Sequence, residues 1–521
     1  MVVRGVVRRN EYRDSVVLMR ISKQLEELEG VQKASAIMAT ENNKQLLKDA
    51  GLLTDDIARA APNDLAVAVD AASAELAENA IAAIEGMLAE KPAAERGELV
   101  YKTLAAATAT AADSNLVLIS VPGPFAAREA MRALRDGKHV FIFSDGVPVE
   151  DEVKLKRLGE ERGLLVMGPD CGTAIINGVG LGFSNVVRRG PIGIVGAAGT
   201  GIQQVSSLVD EVGVSHAIGT GSNDPKEAIG AITMRAGLKL LAGDPDTKVV
   251  VVVSKPPAPK VAREVLKVIK GINKPAVVNF IGGSPAEVKR VGLVPADTLE
   301  DAAVKAMALA RGEKPKSILF SQKPAEIKKI VRSESKRLKP KQKYIRGLYS
   351  GGTFCYEAML ILRKLVGGVY SNTPLDPKLK LADVHRSQKH TCVDLGTGVY
   401  TVGRPHPMID FRFRQERLLR EAADPETAVI LFDIVLGYGA HPDPAGEIAP
   451  TIQEAKKIAE RDGRYLPVVA SVCGTQGDPQ GLAAQEKKLR DVGVVVMPSN
   501  AQAVRMAALI ATHGKAWGKL K

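Results

Sequence analysis

The pattern of apolar and polar positions along this chain switches repeatedly between a period of two and a period near 3.6. That alternation predicts strands separated by helices over most of the length. Val2 to Arg8 reads as a strand and Ser15 to Leu28 as an amphipathic helix stopped at Gly30. Val31 to Ala39 and Leu65 to Val69 follow as strands, and Ser73 to Glu90 as an Ala/Glu helix. Together they predict a small α/β domain over residues 1–95, whose glycine-poor turns offer no phosphate loop.

From Asn115 the strands become continuous apolar runs, as buried parallel sheets require. Leu116 to Val121 is stopped by Pro122-Gly123-Pro124-Phe125, and a helix then runs to Gly137. Val140 to Ser144, a helix from Val153 to Arg162 and Leu164 to Met167 lead to Gly168-Pro169-Asp170-Cys171-Gly172. This succession predicts a Rossmann-like domain over residues 96–189, with ligands at the carboxyl ends of its strands. The turn at Gly168, Pro169, Asp170 and Cys171 has two readings, a nucleotide-type ligand loop or a plain domain exit.

A third unit, residues 190–312, opens on the strand Ile192 to Val195, the loop Gly196-Ala197-Ala198-Gly199-Thr200-Gly201 and a helix from Ile202 to Val212. After a linker over 313–344 the same succession returns in residues 345–521. Ile345 to Tyr349 is a strand, Ser350-Gly351-Gly352-Thr353 the loop, and Tyr356 to Leu365 the helix. Later landmarks recur in order. Gly219-Thr220-Gly221 is echoed by Gly396-Thr397-Gly398, and Asp244-Pro245-Asp246-Thr247 by Asp424-Pro425-Glu426-Thr427. A shared order over this distance predicts a duplicated flavodoxin-like domain.

Composition adds mainly exclusions. At 521 residues the chain is too long for one core, and three or four domains are expected. Hydrophobic residues at 45% and charged residues at 25% exclude a largely disordered chain. No apolar run is long enough to span a bilayer and the first residues lack a signal-peptide pattern, so the cytoplasm is the expected compartment. Four scattered cysteines without a C-x-x-C pair, and seven dispersed histidines, predict neither disulfides nor a metal site. The net charge of +12 is concentrated between Lys314 and Arg346, where twelve Lys or Arg face only Glu326 and Glu334. A basic linker of this kind is a solvated connector or a docking strip for an acidic partner, and does not predict nucleic-acid binding.

The chemistry is expected at the two glycine loops. A helix start carries unpaired N–H groups and the positive end of the dipole, and glycine lets a ligand approach that backbone. Gly199, Thr200 and Gly201, with Ser350, Gly351, Gly352 and Thr353, are therefore the predicted phosphate or anion ligands. Either loop alone could be a structural turn, but two copies can face each other across a pseudo-twofold axis around one anion. On that reading, a β-branched residue at Gly199 or Gly351 abolishes anion binding while folding survives. Arg404 and His406, stiffened by Pro405 and Pro407, are candidate catalytic groups. Asp410 would orient His406 or cap a helix. The alternative for this loop is an interdomain turn. Asn223 and Asp433 stand at strand ends and are candidate substrate contacts.

Ile194 to Thr200, together with Gly168-Pro169-Asp170-Cys171, resembles the α subunit of succinyl-CoA synthetase. Over nearly the whole chain the sequence is similar to the FdrA family. Its marks are Val166 to Thr173, Gly199-Thr200-Gly201-Ile202-Gln203, Val253-Ser254-Lys255-Pro256-Pro257 and Tyr400 to Asp410. The resemblance implies a Rossmann-like domain of the CoA-binding type followed by two ligase-type flavodoxin-like domains, and it leaves CoA open as a cofactor. Two departures limit it. No histidine lies between His216 and His385, where the synthetase carries its phosphorylated histidine, and no segment has the motifs of an ATP-grasp domain. The family's glycine-rich CoA loop is missing too.

What the resemblance implies is a component of oxamate carbamoyltransferase, working in allantoin catabolism with companion subunits encoded nearby. It would turn oxalurate and phosphate into oxamate and carbamoyl phosphate. Alternatives are an acyl-CoA synthetase-like enzyme completed by partners, and a non-catalytic scaffold. The expected partners are small anions and further copies of the chain, with neither nucleic acid nor membrane among them.

Overall fold

Leu65 to Ala71 is buried almost end to end, and that apolar strand organises the N-terminal sheet. Its neighbours are β1 (Val2–Arg8) and β2 (Val31–Met38), which pair antiparallel on either side of β3 (Leu65–Ala71) in the order β1-β3-β2. The helices Ser15–Glu26 and Ala74–Ala89 cover one face through Leu18, Ile21, Leu25, Ala77, Ala80 and Ile84. Leu47 and Ile57 cover the other, from short helices capped by Thr40 and Thr54. The computed structural model describes residues 2–13, 15–89, 101–401 and 404–520. Glu90, where the predicted helix ends, and the predicted domain boundary at residues 95–96 lie outside them.

The chain divides into two units, Met1–Lys102 with Leu395–Asp410, and Thr103–Asp394 with Phe411–Lys521. In the second unit β4 (Leu116–Ile119), β5 (His139–Ile142) and β6 (Val166–Met167) form a parallel three-stranded sheet. The next sheet contains β7 (Thr173–Ile176), β8 (Val179–Gly182), β9 (Arg189–Gly196), β10 (Val214–Gly219), β11 (Val249–Ser254), β12 (Ala276–Phe280) and β13 (Val294–Pro295). Its order is β13-β12-β11-β9-β10-β7-β8. The last sheet holds β14 (Tyr344–Tyr349), β15 (Thr391–Asp394), β16 (Thr427–Val435), β17 (Val468–Cys473) and β18 (Val495–Met497), in the order β15-β14-β16-β17-β18.

Counted from β9 and from β14, the five parallel strands of each copy run second, first, third, fourth, fifth. This is the flavodoxin-like order, and it appears twice. The two copies differ at one edge. The hairpin β7–β8 pairs antiparallel with β10, so residues 173–182, expected in the Rossmann-like domain, belong to the following sheet. The basic segment is also more than a connector. It contains the helix Pro324–Ser335, which buries Ile327 and Val331. Pro324 opens this helix, and in a first helical turn its missing N–H costs nothing. Arg346 is not solvated either; it is buried against Glu421 and Asp424 at 3.2 and 2.5 Å.

β14 leads directly into the second glycine loop, and His390 supports it by accepting a hydrogen bond from the Ile345 N–H at 3.2 Å. Burial, reinforced by the Arg346 charge, pushes the His390 imidazole down to about 4. Its neutral form is therefore favoured in the fold, whereas the unfolded chain takes up a proton near the usual value of about 6.5. The contribution is complete above the unfolded value and is lost as pH falls towards 4. Unfolding free energy should drop by up to about 3 kcal/mol across that window. His139 and His216, also lowered by burial, act in the same direction. Denaturant titrations at about pH 7 and pH 4.5 should show a smaller drop for His390→Gln than for the parent protein.

Candidate anion site

β9 ends at Gly196, and the chain turns within three residues into the helix Gly199–Leu208. Ala197 N–H donates to Val253 O and Ile202 N–H to Ala198 O, which fixes the turn and starts the helix. The N-cap is Ala198, which supplies no side-chain acceptor, and the first turn carries no acidic residue. The N–H groups of Gly199, Thr200 and Gly201 thus have neither a cap nor a neighbouring acid on their own element.

The second copy repeats this turn at Gly351, the N-cap of the helix Gly352–Val366. The two helix starts touch. A Cβ on Gly351 would stand 2.9 Å from Thr200 Oγ1, and one on Gly201 would stand 3.2 Å from Thr353 Cγ2. Both loops that the sequence singles out therefore meet, but they are not equivalent. Asp433, fully buried near the carboxyl end of β16, accepts from Ser350 N–H at 2.7 Å, Ser350 Oγ at 2.8 Å and Gly351 N–H at 2.8 Å. Asp394 lies beside Gly352, its Oδ2 only 2.6 Å from where a Cβ would be. The start of the 352 helix already has protein carboxylates, whereas that of the 199 helix has none in its first turn.

This asymmetry corrects several expectations. Asp433 is no substrate contact, because Arg414 donates at 3.3 Å to the same carboxylate that the Ser350 loop occupies. Ser350 and Gly351 spend their N–H groups on Asp433. A Cβ on Gly351 would also come within 2.8 Å of Phe354 Cδ2, so this glycine serves the close approach of two helices, and replacing it disturbs packing. Gly199 is the opposite case. A Cβ there meets only Thr173 Oγ1 at 3.5 Å and Gly172 Cα at 3.7 Å, which is ordinary contact. The fold has room for a side chain at 199 and does not contain one.

Asn223 is drawn away from any ligand as well. Its Nδ2 donates to Glu152 Oε2 at 3.1 Å, and Glu152 pairs with the fully buried Lys156 at 3.0 Å. Lys156 also pairs with Asp224 at 2.8 Å, so this network ties the three-stranded domain to the loop after β10. The turn at Gly168 is packed in the same place. A Cβ on Gly221 would lie 2.2 Å from Pro169 O, and one on Gly219 2.5 Å from Cys171 Sγ. Gly168, Pro169 and Cys171 are buried there, and burial raises the Asp170 carboxyl above its usual range although part of its side chain reaches the surface. Burial pushes the Cys171 thiol up to about 12 and that of Cys355 well above its usual value, so neither is a nucleophile.

Arg404, His406 and Asp410 fall in the first unit. Arg404 Nε donates to Asn43 Oδ1 at 2.5 Å, and Asn43 Nδ2 donates to Met38 O at 2.7 Å, which fixes the way this buried amide points. Met408 N–H donates to His406 Nδ1 at 3.3 Å, and Asp410 N–H to His406 O at 3.1 Å. These bonds fold residues 406–410 into a turn. Val402 and Gly403 of the same motif lie outside the described residues. Sequence reasoning passed over Lys255, which follows β11 and places its ammonium 5.1 Å from the centre of the Tyr356 ring on the 352 helix. Its position at a strand's carboxyl end was the available signal.

Two regions match family models. Residues 348–510 match the CoA-ligase model, and residues 1–103 match that of the AllF heavy metal-associated domain. The uncharacterized protein YahF of Escherichia coli (strain K12) is 46% identical over 502 residues, 96% of this chain and 97% of YahF. The chain belongs to the YahF family. A subunit alpha 2 of the ADP-forming succinate–CoA ligase from Archaeoglobus fulgidus is 33% identical over 190 residues, 35% of this chain and 63% of that protein. The YahF family is therefore succinyl-CoA synthetase-like. Among solved structures, the apo acetyl-coenzyme A synthetase 1 of Ca. Korarchaeum cryptofilum aligns with 17% identity and a TM-score of 0.31, over 78% of this chain and 84% of that one.

In this YahF-family chain the region that matches the AllF model lacks the commonest metal-binding side chains. Residues 1–103 contain no cysteine and no histidine. The three-stranded domain is a poor phosphate cradle, since a proline sits in the first turn of its helix Gly123–Arg135 and removes an N–H donor. After β12 the chain runs through Gly282-Gly283 into the helix Pro285–Arg290 with no histidine. Among the described residues no helix is long and apolar enough to cross a membrane. The Asp433 network is open to a direct test. Asp433→Ala leaves Arg414 buried and unpaired beneath the loop, and should cost about 3–5 kcal/mol of stability in denaturant unfolding.

Proposed function

We propose that this chain is the phosphate-handling component of a carbamoyl-transfer system that converts oxalurate and phosphate into oxamate and carbamoyl phosphate. The observation that carries the reading is the uncapped helix start at Gly199, with space beside it that a Cβ would fill. The match of residues 1–103 to an AllF domain supports a place in allantoin breakdown. A phosphate oxygen attacks the ureido carbonyl carbon, the carbonyl oxygen takes up negative charge, and the bond from that carbon to the oxamate nitrogen breaks. The nitrogen leaves with a proton. Helix N–H groups oriented in advance suit both tasks, holding the phosphate and stabilising the oxyanion. No phosphohistidine is required, in keeping with a sequence that has no histidine between His216 and His385.

A second reading, acyl-CoA ligase-like chemistry completed by partner subunits, is favoured by the CoA-ligase match over residues 348–510. Phosphorolysis of oxalurate by the chain co-purified with its companion proteins separates the two, since only the first reading predicts carbamoyl phosphate without ATP or CoA. Gly199→Ala should fold normally and lose this activity at least tenfold, because its methyl fills the phosphate's place. Gly351→Ala should instead lower thermal stability, by about 1–3 kcal/mol, through its clash with Thr200 and Phe354. Carbamoyl phosphate formation that is unchanged in Gly199→Ala would falsify the assignment of the site.

A further inference from the structure

Thr173, the first residue of β7, is 1% exposed and its Oγ1 has no hydrogen-bond partner in the protein. Burying a hydroxyl without a partner is costly, and proteins seldom leave one so without a ligand or water to satisfy it. The direction of this hydroxyl is specific. Its Oγ1 lies 3.5 Å from the point where a Cβ on Gly199 would stand, in front of the uncapped start of a ten-residue helix. The backbone that carries it is immobilised. Thr173 O presses against Gly219, where a Cβ would lie only 2.2 Å away, and it receives the Cys171 thiol at 3.6 Å. The strand itself is paired with β8 and, at Ile175, with β10.

We infer that Thr173 is a ligand-contacting residue of the Gly199 site, and that the group it receives is a tetrahedral oxyanion, inorganic phosphate or a phosphoryl group. The inference rests on the anion reading of the Gly199 helix start and specifies what that site holds. Donors reach the site from two elements, the helix start and the edge of β7. A planar carboxylate offers its lone pairs in one plane, whereas a tetrahedral anion has a further oxygen to present to the second element. A hydroxyl donated to a charged acceptor is a strong contact when water is excluded.

The test uses the full-length protein, with inorganic phosphate and acetate as probes in isothermal calorimetry, and with unfolding temperatures measured without anion. Thr173→Val removes the hydroxyl and keeps the volume and branching of the side chain. Its phosphate affinity should be at least about tenfold weaker, with unfolding temperature and acetate binding unchanged. Thr173→Ser should retain phosphate binding. If the valine variant folds poorly, Thr173→Ala carries the same comparison. Equal phosphate affinity in parent and valine variant overturns the role of Thr173 while leaving the anion site standing. A parent protein that binds no phosphate at all overturns the site and this inference together.

Discussion

Two helix starts in contact are electrostatically unfavourable until something negative meets them. Each presents roughly half a positive charge together with unpaired N–H donors. Here Gly351 and Thr200 bring two such ends within van der Waals distance. The protein supplies the compensation for one of them from its own sheet. Asp433 takes the N–H groups of Ser350 and Gly351, and Asp394 stands beside Gly352. Arg414, buried beneath, keeps Asp433 from being a lone charge in the core. The Gly199 start has no side-chain cap and no acid in its first turn, and the proposed anion site rests on that difference between the duplicated loops.

The repeat was legible because topology leaves a period in the sequence. Strand, glycine loop and helix recur with landmarks in the same order, and both sheets do run second, first, third, fourth, fifth. The transition to the repeat was less legible. Strands β7 and β8 are four residues each and follow a turn that reads equally well as a domain exit, so the sequence alone placed them with the preceding sheet. The helix Pro324–Ser335 was hidden by its proline and its lysines, although Ile327 and Val331 carry the helical spacing that buries it.

The site was half legible for a similar reason. Helix starts are visible as glycine loops, so Gly199 and Gly351 stood out together, yet a sequence cannot say which glycine serves a ligand and which serves packing. At Gly351 a Cβ would collide with Thr200 and Phe354, whereas at Gly199 it would make only ordinary contact with Thr173 and Gly172. Asp433 and Asn223 were chosen for their strand ends, a sound rule for ligand-binding sheets. Both turn out to use their polar atoms on the protein, Asp433 on the Ser350 loop and Asn223 on Glu152. Thr173 carried no signal beyond its place in a family motif, because an unpartnered hydroxyl is visible only once the strand that carries it has been placed.

A succinyl-CoA synthetase-like fold without the histidine loop poses a chemical question that the helix pair answers. Phosphate transfer through histidine needs a mobile carrier that moves between two sites, and such a carrier must be bound and released in turn. Direct attack by phosphate on a carbonyl needs only that the anion be stripped of water and held still. Backbone N–H groups do this without side-chain reorganisation, and their dipoles are fixed before the substrate arrives. On the proposed reading, the start whose N–H groups are matched by Asp433 and Asp394 acts as the rigid wall, and the uncapped start at Gly199 acts as the binding surface. A duplicated fold can divide the work this way because its two copies meet at equivalent points while only one of them carries its own carboxylates.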